Sequence, residues 1–155
     1  MKLAVILVVV VILMASLYVR LAPIDPARWH QMPNRTEAGV FPDIGGHEIV
    51  FAFPDRDAAL TAVQTLDQVI RRAPRTNVLA GEVGDGLVSY VSRSAVWHFP
   101  DLTTVSVVEK GEAGLSQDTE SWLVSIRGRL RFGKADLGLN RQRIEAWVAD
   151  AGLSE

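Results

Sequence analysis

The feature that most limits this chain is residues 3–19 (LAVILVVVVILMASLYV), seventeen positions without a charge. Val, Ile and Leu would occupy every face of a helix formed by this run. That leaves no polar stripe to meet water, which is wrong for a soluble amphipathic helix. Such a helix measures about 25 Å at ~1.5 Å per residue, a little short of a ~30 Å hydrocarbon core. Lys2 and Arg20 bracket the run and can extend their stems to the interface. Tyr18 and Trp29 fall where a headgroup-level aromatic belt sits. The expectation is a membrane anchor over residues 1–20 that meets lipid through residues 3–19.

A cleaved signal peptide is the competing reading, and Lys2 gives it a short basic start. Against it, the apolar core exceeds the usual ~7–15 residues. The candidate cleavage sites Met14-Ala15-Ser16 and Arg20-Leu21-Ala22 each put a poor residue at one of the two small positions. Sidedness is less constrained. Lys2 and the α-amino group oppose Arg20, Arg28 and Arg35, so counting positive charge does not decide it. The two-residue tail before the apolar run favours a cytoplasmic N-terminus, with the following domain exported.

The rest of the 155 residues amounts to one domain. A net charge of -2 argues against nucleic-acid binding by bulk electrostatics, and nucleic acid is not expected as a partner. The absence of cysteine excludes a disulfide scaffold, Cys-based zinc sites and a thiol nucleophile. Positive charge is nevertheless concentrated near the end of the chain. Arg127, Arg129, Arg131, Lys134, Arg141 and Arg143 face one acid in the same stretch, Asp136.

Between anchor and domain, residues 21–46 carry four prolines and three glycines, which break helix and favour extended chain. They predict a semi-rigid stalk that packs partly on the domain. Residues 47–53 then alternate, with Ile49, Phe51 and Phe53 on one face of a strand. A helix starts at Asp55 or Asp57, carries Ala59, Val63, Leu66 and Ile70, and stops before Pro74. Four further strands are expected over 76–82, 87–92, 103–109 and 120–127, with hairpin turns at 83–86 and 110–118. Ile144, Trp147, Val148 and Ala151 mark a last helix, with Asn140 as N-cap and Gly152 at its end. The fold class is therefore α+β: an N-terminal transmembrane helix, then an antiparallel sheet of about five strands with two helices on one face.

The segment 127–145 (RGRLRFGKADLGLNRQRIE) resembles the domain of unknown function family 1499 (DUF1499), found in bacteria and plastids. That family carries Arg-Ser-x-Ser-Arg-x-Gly, then Asp-Leu-Gly, then Asn-Arg and a C-terminal helix. Arg127, Arg131, Gly133, Asp136, Leu137, Gly138, Asn140 and Arg141 match in spacing. Ser92-Arg93, Phe99 and Asp101 follow the family's upstream Arg…Phe…Asp stretch more loosely. Gly128 and Leu130 stand where the family has serines, so no role of those hydroxyls carries over. The resemblance implies a domain over residues 47–155 and confers no activity. Together with the anchor it implies a single-pass protein of a bacterial inner membrane with a periplasmic soluble domain.

One segment could hold a ligand. If the last strand runs past Ile126, Arg127, Arg129 and Arg131 share a face at about 7 Å intervals. An anion site there would use Arg127, Arg131, Asp136, Asn140 and Arg141, completed by the N–H groups and dipole of the last helix. The structural reading instead pairs Asp136 and Asp101 with Arg131 or Arg141. Gly133 and Gly138 fit turns at φ > 0, and no Gly-rich phosphate-loop pattern is present. His30, His47 and His98 lack helical zinc spacing, and no Gly-x-Ser-x-Gly elbow occurs. No catalytic residue, metal or other cofactor is expected. Trp97, Phe99 and Trp122 read as core or membrane-facing aromatics. The expected function is a membrane-anchored, non-enzymatic accessory domain that acts through a protein partner or the membrane surface. The alternative is binding of an anionic small molecule or lipid headgroup at the arginine-rich strand and last-helix N-terminus.

Overall fold

In the computed structural model, which describes residues 1–110 and 122–153, the opening apolar run forms α1 (Lys2–Leu21). None of its residues is buried, and it is long and apolar enough to cross a membrane. A single helical turn, α2 (Pro26–Trp29), follows; Asp25 caps it by accepting from the Ala27 amide. The remaining elements are β1 (Gly39–Asp43), β2 (Gly46–Phe53), α3 (Arg56–Arg72), β3 (Thr76–Glu82), β4 (Leu87–Arg93), β5 (Pro100–Glu109), β6 (Trp122–Leu130) and α4 (Leu139–Asp150).

The strands form one antiparallel sheet in the order β1-β2-β6-β5-β4-β3. The sheet has six strands against the five expected. The additional one is β1, from the segment read as a stalk. Proline bars a helix there but not an edge strand, because the face away from β2 needs no N–H donor. Pro42 sits in this edge strand opposite His47.

Four antiparallel steps separate β2 from β3, so the two run in the same direction, and α3 crosses one face of the sheet to join them. The Asp55 carboxylate caps α3 by accepting from Ala58 N at 2.8 Å. Ala59, Val63, Leu66 and Ile70 recur at helical spacing and are fully buried. They pack on Val88 and Tyr90 of β4, Val105 of β5 and Val124 and Ile126 of β6. Helix α4 adds Ile144, Trp147 and Val148 to the same core. Each fully buried Leu, Ile or Val contributes roughly 1.5–3 kcal/mol, so this face carries most of the stability. As expected, both domain helices lie on one face.

The N-cap of α4 differs from expectation. Gly138, left-handed at φ 80, occupies that position, and Asn140 lies inside the first turn with its side chain buried. The capping acceptor is supplied from upstream by Asp136. Of the turn expected at 110–118, all but Lys110 lies outside the described residues.

Candidate functional site

Strand alternation sends Ile126 toward the helices and Arg127, Arg129 and Arg131 toward the opposite face. The pairing registers place Glu48 beside Arg127 and Thr104 across from it, on that same face. Asp136, Asn140 and Arg141 belong to the helix side. A Cβ on Gly128, between two of the arginines, would meet Asn140 Oδ1 and Ile144 Cδ1 at 3.0 Å. The arginine row and the α4 N-terminus are thus separated by the sheet and are not brought together.

The first amides of α4 already have a partner. Asp136 accepts from Gly138 N at 3.0 Å and Asn140 N at 2.9 Å. Burial by itself raises the Asp136 pKa, but these hydrogen bonds outweigh it and hold the carboxyl below its ordinary range. Arg141 pairs with Glu145 at 2.7 Å along the helix. Asp101 pairs with Arg143 at 3.1 Å, rather than with Arg131 or Arg141.

The face that carries the arginines is crossed by the linker. Arg131 donates to the carbonyls of Ala22 at 3.0 Å and Pro23 at 2.6 Å. Arg129 donates to Trp29 O at 2.5 Å and Thr104 Oγ1 at 2.9 Å, with its guanidinium 5.3 Å from the Trp29 ring. His30 Nδ1 lies 3.1 Å from Ser89 Oγ. Arg35 reaches Glu48 at 3.2 Å, and Arg127 approaches the same carboxylate at 3.7 Å. Proline-rich chain lacks amide donors but keeps every carbonyl, and guanidinium is the side chain with the most donors to offer them. Burial first, then Arg127, lowers the Arg129 pKa, while Glu48 opposes the shift.

Sequence reasoning missed Glu48 and Arg35. Glu48 alternates with Ile49, which marks it for the non-core face, and that face normally faces water. Here it is buried at 3% exposure, as are Ser89 and Thr104 at 0%. Gly133 and Gly138 take φ 103 and 80, in keeping with the turns expected of them.

A crystal structure of a DUF4468 family protein from Bacteroides ovatus is similar at TM-score 0.28 and 12% identity, over 84% of this chain and 91% of that one. A likeness of that size carries no inference. No curated protein matches the chain. Residues 45–150, which include α3, α4, five of the six strands and the whole arginine row, match the family described as "Protein of unknown function (DUF1499)". The chain is a member of the DUF1499 family.

Proposed function

We propose that this DUF1499 chain is a single-pass accessory domain of a bacterial inner membrane. It acts without catalysis at the bilayer surface or on a protein partner there, from the periplasmic side. One observation carries the reading: the arginine row clasps the linker immediately after α1. Arg131 holds Ala22 and Pro23, the two residues that follow the helix. So short a connection fixes the sheet close to the point where the chain leaves the lipid, which suits a surface role.

Contacts between α1 and the domain favour an anchor over a leader removed after export. Tyr18 packs edge-on against Phe132 with ring centroids 6.2 Å apart, and Arg20 donates to Val96 O at 3.4 Å. A leader lost before folding has no reason to fit the mature surface. The strongest polar constellations are also spent on structure. Tyr90 donates to Asp67 at 2.6 Å, Asp67 pairs with Arg71 at 2.7 Å, and Asp136 caps a helix.

The test is to express the full chain with Gln64→Cys, at an exposed position of α3, as its one cysteine. Membranes are washed with alkaline carbonate, and intact spheroplasts are treated with an impermeant maleimide. Retention in the membrane with labelling from outside is expected. A soluble product whose first residue lies beyond Leu21 overturns the anchor, and protection from the maleimide overturns the sidedness.

The second reading is anion binding at the arginine strand, and it has its own support. Arg35 and Arg127 share one carboxylate, Glu48, beside a recess of about 110 Å³ lined also by Arg129. That leaves positive charge in excess. Calorimetry with inorganic phosphate, repeated on Arg127→Ala, decides it: heat of binding that the variant loses favours this reading.

A further inference from the structure

Three loops share the end of the sheet at which Arg131 holds the residues that follow α1. This end holds the β1–β2 turn with Ile44, the β4–β5 loop over residues 94–99, and the β6–α4 loop over residues 131–138. The first and last of these are joined, since Asp136 N donates to Ile44 O. Each presents large apolar side chains to solvent: Ile44 is 75% exposed, Val96 71%, Trp97 52% and Leu137 94%. Leu137 is held at φ 54, a left-handed conformation that a branched side chain avoids without compensation.

The position of Trp97 decides what could cover this end. Trp97 and Phe99 share a groove with Ile12, Ala15, Ser16 and Val19 of α1. On a helix that spans a bilayer, Ile12 lies on the order of 10 Å deeper than Arg20 at ~1.5 Å per residue. A loop packed against this stretch has no aqueous position available to it.

Charge at the same end points to the same occupant. Arg131 is depressed in pKa by burial first, and then by Arg93 and Arg28 standing close to it. Arg20 and Arg93 flank a cleft with His98 and hold the loop's own carbonyls, Val96 O and His98 O. Among the described residues none of Arg20, Arg28, Arg93 and Arg131 pairs with a carboxylate. Arg20 and Arg93 on the loop, with Arg131 and Arg28 close to one another where the chain leaves α1, are four guanidiniums without a carboxylate partner and complement a layer of lipid phosphates.

We propose that the β4–β5 loop inserts its Val96-Trp97-His98-Phe99 tip into the bilayer beside α1, with Arg20, Arg28, Arg93 and Arg131 on the phosphates of an anionic surface. The domain is then held to the membrane at a second point and cannot swivel about its anchor. The inference rests on the reading of α1 as a membrane span, and its test separates the two.

The chain has no native cysteine, so three single-cysteine full-length variants can carry a nitroxide: Val96→Cys, Val9→Cys in α1 and Gln64→Cys on α3. Each is reconstituted into vesicles of phosphatidylcholine with phosphatidylglycerol. Collision with oxygen and with a water-soluble nickel chelate is then measured by electron paramagnetic resonance. The label at 96 is expected to lie in lipid at a shallower depth than the one at 9, with oxygen contact between those at 9 and 64 and nickel contact several-fold below that at 64. Behaviour at 96 like that at 64, with 9 still in lipid, overturns the insertion and leaves the anchor standing. Nickel contact at 9 overturns both. In vesicles of phosphatidylcholine alone, which keep the phosphates but lack net negative charge, nickel contact at 96 is expected to rise several-fold; an unchanged value overturns the requirement for an anionic surface.

Discussion

Asp136 and Asp101 are both buried carboxylates near α4, yet their pKa values shift in opposite directions. The Asp136 pKa is lowered because amide donors outweigh its burial, so its charged form favours the fold. That contribution is present above the unfolded aspartate value of about 3.9 and is lost as pH falls through the folded value. Asp136→Ala should therefore cost about 1 kcal/mol at neutral pH, as loss of a helix cap does, and almost nothing in strong acid. Urea unfolding across a pH series reads this directly. The Asp101 pKa is raised, by burial first, while Arg143 opposes the shift through charge and a hydrogen bond. Without Arg143 the carboxyl would rise further, and its ionisation would oppose folding as pH increases. Arg143→Met should cost about 2 kcal/mol, the range of a charged hydrogen bond. As with Asp136→Ala, its loss should grow from acid toward neutral pH, because only the ionised Asp101 needs the guanidinium.

At the scale of elements, periodicity made most of the architecture readable. The buried stripe of α3 and the alternation in β2 each admit one face, so both helices and the core strands could be placed from residues alone. Strand β1 could not, because Pro42 and the glycines around it carry no periodic signal. That the linker packs partly on the domain was expected, but its means was hidden, since its hold on the sheet uses backbone carbonyls, which no sequence pattern displays. For the site, the shared face of Arg127, Arg129 and Arg131 was readable from alternation. Its occupant was not, because Glu48, Ser89 and Thr104 looked like a solvent face until the linker covered them. Removing the donors should free that cover. Arg129→Ala deletes hydrogen bonds to Trp29 O and Thr104, each worth about 1.5–3 kcal/mol when the donor is charged. Local opening of residues 22–36 should then increase by at least about tenfold, read as faster proteolysis in the linker with the core still protected. Gly81→Ala should loosen the same segment from below. Gly81 sits at φ 76, and an added Cβ would strike Leu87 O and come within 2.5 Å of His30 Cε1.

For the whole molecule, two truncations separate what α1 supplies from what the linker supplies. Among the described residues helix α1 places none in the core, and its contacts with the domain are peripheral ones, such as the groove with Trp97 and Phe99, the Tyr18–Phe132 pair and the Arg20–Val96 hydrogen bond. A chain of residues 22–155 should therefore unfold cooperatively within a few degrees of the full-length protein in detergent. A chain of residues 46–155, close to the family match, keeps the core, both helices and five strands. It loses the Trp29 acceptor of Arg129, both acceptors of Arg131, the Arg35 partner of Glu48, and the edge strand that covers β2. An unpaired half-buried donor costs about 1–3 kcal/mol, and a bare edge strand invites pairing with another chain. The shorter chain should melt well below the longer one and self-associate, as measured by thermal unfolding and size-exclusion chromatography. Equal melting of the two would mean that the linker only rests on the sheet. The arginine row would then have no structural claim on it and would be free for a ligand.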